Sequence, residues 1–410
     1  MKYVVVIFIV LFSVISYGQT DHLELDSRIK NEFKRIENLD KEAYNKVDYE
    51  EFIQLLEATV KESPDNTEAR YFLGYAYSRK NANDSSVMIN ANLDLVLKAS
   101  EQFEEIIKLT PKYKGEIIGH NPYDKIAADW SGLALKYLYD KKKDSAIWAF
   151  KQAEKRGGFS AYKLQLYKEK LNACSKNAVL FSLGDIPTFS LNYLQTVENF
   201  REDISVVDIT LLESKWYPKY LVENSIISFD ISNEELKTID YIEWNDKLIT
   251  IDDFSWILKP SYDEYIFRGD RILLSFLKQN KFKRDIYFTT GFKPNTRLSL
   301  DAYISEGLLV DKLLVSKEKD TIINVNYELI KRMLKMTEIV NVYNDSDIKD
   351  VCYFRIMALY EISGFFEKNE NKKAINLVKL IDKYIDEAIF PFRYKEYLKF
   401  YTDCKKFVND

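Results

Sequence analysis

Seven residues between positions 130 and 153 constrain this chain more than any other feature. Trp130, Leu133, Ala134, Tyr137, Ala146, Phe150 and Ala153 fall at offsets of 3, 4, 7, 16, 20 and 23 from the tryptophan. The first four share one face of a helix, and the last three resume the helical period after a break. Small alanines in the second group let two helices cross closely. Gly157-Gly158 follow, and glycine is the usual residue at a helix C-cap.

These are the offsets of the 34-residue tetratricopeptide unit. An earlier unit is split. Leu73, Gly74 and Tyr77 fit its first helix, and Ala99, Phe103, Ile106 and Pro111 fit its second. The polar stretch Asn81–Ser86 falls between them and reads as a loop. Leu56 and Pro64 close a preceding helix, and Ser63-Pro64-Asp65-Asn66 forms the turn into the next. Residues 19–172 are therefore expected to form tetratricopeptide-like helical repeats. One repeat cannot bury its own apolar face; stacking buries it and leaves a groove suited to a protein or peptide.

Composition supports helix as the main element, with only 12 Gly and 8 Pro in 410 residues. It also narrows the chemistry. There are two histidines, His22 and His120, and three cysteines, Cys174, Cys352 and Cys404, with no C-x-x-C. A zinc site lacks ligands at the usual spacings. No catalytic residue, metal or cofactor is expected. A net charge of −5 offers no general basic footprint for nucleic acid. Three cysteines read as small buried hydrophobes, with a Cys352–Cys404 bridge as the alternative.

Residues 1–18 carry a basic start, an apolar run from Tyr3 to Ile15 and a small-x-small ending at Gly18. That pattern reads as a signal peptide, cleaved near Gly18. The run is shorter than the ~20 apolar residues of a spanning helix. The mature protein is expected to be exported, periplasmic and without a membrane span.

The period changes near residue 177. Asn177–Leu183 and Ile204–Ile209 are apolar, strand-like runs flanking a helical pattern from Thr188 to Asn199. This order predicts a βαβ unit with parallel strands. Further strands are expected at 286–290 and 308–315, a hairpin within 240–256, and helices at 270–280 and 301–306. Residues 173–325 thus form a small parallel-stranded α/β module. Ligands of such sheets bind beyond the carboxyl ends of the strands. Gly184 and Asp185 lie at one such end, with Thr188 placed to N-cap the next helix and favour an anion. Asp208 lies at the neighbouring strand end. Trp216 and Tyr217 follow, and their rings either stack on a sugar or pack in the core. These six residues make the candidate ligand site. Asp185 with Asp208 could equally serve as an acid/base pair, whereas the bland reading is a capped turn that binds nothing.

The series Asn177 to Asp185, Thr188-Phe189, Tyr193-Leu194-Gln195, Arg201-x-Asp203, Leu211-Leu212 and Trp216-Tyr217 resembles the soluble C-terminal region of a bacterial membrane-protein family. That family is classed with protein O-mannosyltransferase-like glycosyltransferases. Lys283-Arg284-x-Ile286-Tyr287-Phe288 and Leu298 through Glu306-Gly307-Leu308 continue the order, so that the resemblance spans about residues 173–390. Asp144 through Phe150 and Arg156 to Phe159 look like exported tetratricopeptide proteins that carry this module without a membrane part. The multi-span part in which the family's catalysis is expected is absent, so transferase activity is not implied. The family turn commonly reads G-D-N-D-T, whereas Ile186-Pro187 stand here after Gly184-Asp185.

Residues 326–410 return to helical period. Arg355, Ala358, Leu359, Ile362 and Phe365 mark one face, Ala374, Val378 and Ile381 a second, and Lys368–Asn371 the turn between. Phe390-Pro391-Phe392-Arg393 precede a final helix. The chain is expected to be mostly α with an α/β module. Its expected role is that of a non-catalytic binding or scaffold protein for a protein or peptide. The alternative is a carbohydrate-binding or carbohydrate-processing accessory with its crevice at Asp185.

Overall fold

The computed structural model describes residues 21–39, 47–82, 88–292, 296–315, 327–392 and 394–409. The expected leader, the polar stretch from Asn83 to Ser86 and Arg393 lie outside them.

Helices come first: α1 (Asp21–Glu37), α2 (Glu50–Glu62), α3 (Thr67–Asn81), α4 (Leu93–Leu109), α5 (Pro122–Tyr139), α6 (Lys143–Lys155) and α7 (Ala161–Ala173). Their starts follow local chemistry. Asn66 accepts from the Ala69 N–H at 2.9 Å, Asn121 caps α5 with Pro122 in its first turn, and Ser160 caps α7. The pairs α3–α4 and α5–α6 pack as helical hairpins and then on each other. Trp130, Leu133, Ala134, Ala146, Phe150 and Ala153 are all sealed, and Tyr137 packs against the same core half-buried. The Trp130 indole N–H donates to Ser100 Oγ at 2.9 Å, so its one polar atom is satisfied. Gly158 is needed for contact: a Cβ there would stand 2.6 Å from the Ala127 nitrogen of α5.

The α/β part adds β1 (Val179–Ser182), α8 (Asp185–Val197), β2 (Ser205–Asp208), α9 (Trp216–Glu223) and α10 (Asn233–Thr238). Then come β3 (Ile242–Glu243), β4 (Lys247–Ile251), β5 (Phe254–Leu258), β6 (Tyr265–Ile266), α11 (Arg268–Asn280), β7 (Ile286–Thr289), β8 (Ile304–Ser305) and β9 (Val310–Leu313). The main sheet has order β2-β1-β7-β9-β8. The βαβ unit forms as expected, with β1 parallel to β2 and to β7. The sheet as a whole is mixed, which corrects the parallel-stranded expectation: β9 runs antiparallel to β7 and β8. Parallel neighbours need a long crossover, usually a helix. Asp301–Glu306 supplies none, because only Asp301–Tyr303 makes a 3-10 turn before the chain enters β8. The hairpin expected within 240–256 is β4–β5, shifted to Lys247–Leu258, while β3 pairs with β6.

Helix α8 ties the two parts together. It packs on α5, α6 and α7 as well as on β2. Its Tyr193 stacks edge-on against Phe150 and donates to Glu154 at 2.6 Å. One apolar core therefore runs from α1 through the sheet. A second core joins α12 (Tyr327–Met336), α13 (Asp345–Glu367), α14 (Asn371–Tyr384) and α15 (Lys395–Asn409) to Tyr162 and Leu166 of α7. Cys174, Cys352 and Cys404 are buried, and no disulfide joins them.

Candidate functional site

Gly184 ends β1 with a positive φ of 82°, and the space where a Cβ would stand is open. That turn lets α8 begin at Asp185. Thr188 therefore sits inside the helix and does not cap it, contrary to the expectation. Pro187 explains the difference, since proline is well tolerated in a first helical turn. Asp185 is half-exposed, with a side-chain exposure of 46%, and its Oδ2 lies 3.4 Å from His120 Nε2. Burial works to raise its pKa, but the His120 hydrogen bond and the charges of His120, Lys125 and Arg79 outweigh it, so that the carboxyl is held below its ordinary range.

Arg79 and Lys125 come from α3 and α5, and His120 from the loop that leads into α5. On α3, Arg79 Nε donates to Tyr75 Oη at 2.8 Å, and Ser78 donates to Asp129 of α5 at 2.7 Å. On α5, Lys125 Nζ lies 4.4 Å from the centre of the Tyr75 ring. Burial pushes the Asp129 carboxyl up to about 6. His120 is held in place because its carbonyl and that of Ile118 both accept from Tyr71 Oη. Arg79, His120 and Lys125 thus gather around Asp185, with Asp129 near enough to act on its charge. Sequence reading missed these four. The i, i+4 spacing of Tyr75/Arg79 and Lys125/Asp129 places each pair on one helix face, but nothing in the sequence says the two faces meet at Gly184.

Asp208, at the end of β2, is only 2% exposed. Its Oδ1 accepts from Thr210 N, Thr210 Oγ1 and Leu211 N at 2.7, 2.6 and 3.1 Å, and its Oδ2 accepts from Thr188. Burial drives the carboxyl up to about 6 against these hydrogen bonds. Thr188 also shares a hydrogen bond of 2.7 Å with Ser182. Tyr217 Oη accepts from the Asp208 N–H at 3.0 Å, and Trp216 packs edge-on against Tyr139. Both aromatic residues are buried. Of the six candidate residues, Asp185 joins the charged cluster with His120 and Gly184 makes the turn beside it. Thr188, Asp208, Trp216 and Tyr217 hold the sheet end together, and neither ring is free to stack on a sugar.

A second charged cluster joins the helical array to the C-terminal helices. Lys163 of α7, 3% exposed, pairs with Asp347 at 3.5 Å and with Asp350, and donates to Ser346 at 2.9 Å. Nearby, Asn121 donates to Asn344 at 2.9 Å. Among the described residues, no three of His, Cys, Asp and Glu converge in a way that could hold a metal ion.

Residues 164–225 match the family model described as TMEM260-associated domain 2, which links them to a TMEM260-like membrane-protein family. The match runs from α7 to just past α9 and contains all six candidate residues. No curated protein and no solved structure matches the chain significantly. No helix among the described residues is long and apolar enough to cross a membrane.

Proposed function

We propose that this chain is a non-catalytic, exported binding or scaffold protein, resident in the periplasm, that holds a protein or peptide partner against its helical part. The tetratricopeptide-like reading of residues 19–172 belongs to this proposal. It is supported by the sealed seam of Trp130, Leu133, Ala134, Ala146, Phe150 and Ala153. The observation that carries the non-catalytic reading is the state of Asp208. Its oxygens are fully engaged and closed to solvent, so Asp208 is not open to share acid/base work with Asp185. Affinity capture from a periplasmic extract tests the reading. One defined protein that co-elutes with the purified chain is expected; background alone, with the chain monomeric, contradicts it.

The second reading is a carbohydrate-binding accessory, and it follows from the resemblance to the soluble part of the O-mannosyltransferase-like family. The half-exposed Asp185 carboxylate beside the open Gly184 turn favours it, because a carboxylate can accept from sugar hydroxyls. A thermal-shift screen over glycans and sugar phosphates, repeated on Asp185→Ala, separates the two. A shift that Asp185→Ala abolishes supports the second reading, and the lack of any shift removes it.

A further inference from the structure

We infer that a groove between α5, α8 and the outer edge of β2 binds an extended peptide segment that presents one apolar side chain. This assignment rests on the protein-binding reading and names its place, which is not the Asp185 cluster. The groove has a volume of about 420 Å³, and Leu135, Leu138, Asn192, Thr196, Val206 and Tyr220 line it. That size lies within the range of about 300–1,000 Å³ typical of ligand pockets.

Three features point to a peptide. The first is the backbone. β2 is an edge strand of the main sheet, paired only with β1. The Ser205 N–H bonds to the Ala178 carbonyl and the Ile209 N–H to the Ser182 carbonyl, both at 3.0 Å. Main-chain direction alternates along a strand. The N–H and C=O of Val206 therefore turn away from β1, toward the groove. The outward N–H of Asp208 is taken by Tyr217 and the Ile204 carbonyl by Gln195, so the one pair offered is that of Val206, which a single peptide unit of an extended chain matches.

The second feature is accessible polarity. Asn192, Thr196 and Tyr220 are half-buried in the groove wall, and none is hydrogen-bonded through its side chain to a described residue. Burial alone moves the Tyr220 phenol up to about 12, with no hydrogen bond acting on it. An Asn amide carries a donor and an acceptor side by side, which fits a peptide group. Gln195, the neighbouring amide, is already spent on the carbonyls of Arg201 and Ile204 at 2.9 and 2.7 Å. It fixes the loop that leads into β2.

The third feature is the floor and rim. Leu135, Leu138 and the Tyr220 ring give one apolar seat between the polar groups. Lys143 and Glu202 stand at the rim with opposite charges and no ion pair to another described residue. Such a rim selects against a segment with a run of charges of one sign.

The test uses the whole protein and a phage-displayed library of short random peptides. The expected result is an enriched consensus with one aliphatic or aromatic residue between uncharged neighbours. Binding of that consensus peptide, read by fluorescence polarisation, should fall at least tenfold in Leu138→Glu and in Thr196→Trp. Leu138 also packs against the core, so Thr196→Trp is the decisive variant; it fills the groove from the surface of α8. A library that yields no consensus, or a consensus peptide that binds Thr196→Trp as tightly as the wild type, overturns the groove assignment. The affinity capture described above then still decides the broader reading.

Discussion

The seam at the strand ends and the groove beside β2 are built from the same elements and treat their polar groups in opposite ways. At the seam, Asp208, Thr188, Thr210, Ser182 and Tyr217 satisfy one another, as Lys163 does with Asp347, Asp350 and Ser346 where α7 meets the C-terminal helices. In the groove, Asn192, Thr196 and Tyr220 are half-buried, with no side-chain hydrogen bond to a described residue, beside the outward backbone groups of Val206. Buried polar groups with partners hold a fold, whereas convergent groups without them await a ligand. A pair of carboxylates at strand ends is thus a poor guide to function here. The difference lies in what each group already holds.

The comparison breaks first at Lys163. Its removal leaves Asp347, which is fully buried, without its countercharge. Lys163→Ala should cost about 3–5 kcal/mol in urea unfolding, the usual penalty for breaking a buried pair. It should also loosen α13 from α7 in proteolysis. A loss under about 1 kcal/mol would mean that the seam does not hold the C-terminal helices.

Asp208→Ala comes next. It strands the donors of Thr188, Thr210 and Leu211, at about 1–3 kcal/mol for an unsatisfied buried group. The pH dependence of stability sharpens the same point. Burial raises Asp208 and Asp129 to about 6, above the ~3.9 of an unfolded aspartate. For a raised acid, the stabilising term is complete below the unfolded pKa and is lost as pH rises through the folded one. Stability should therefore decline between about pH 4 and 7, and Asp208→Asn should flatten part of that slope. An unchanged slope would place the proton elsewhere. The smallest effects belong to the open groups. Asp185→Ala breaks only a half-exposed contact with His120 and should cost less than about 1 kcal/mol. Asn192→Ala should change stability by no more than about 0.5 kcal/mol while weakening peptide binding.

Much of the helical framework was legible because its signals are local. Asn66 starts a helix at the end of the Ser63–Asn66 turn, and the offsets from Trp130 put six apolar residues in one seam. The β1–α8–β2 unit was legible for the same reason. Its Thr188 was misplaced, because Ile186-Pro187 reads as a break until Gly184 is known to turn with a positive φ. The turn at Asp301–Tyr303 and the antiparallel β9 were not legible, since sheet pairing, not local propensity, decides them. The charged partners of Asp185 and the groove at Val206 depend on α8 docking across α5 and α6, a long-range contact that no spacing announces.

Amide hydrogen exchange with and without the library-derived peptide tests the central contrast most directly. The account predicts slowed exchange at the Val206 amide and along the end of α8 near Thr196, with Asp185 and its neighbours unchanged. Slowing confined to the Asp185 cluster, with Val206 unaffected, would contradict it.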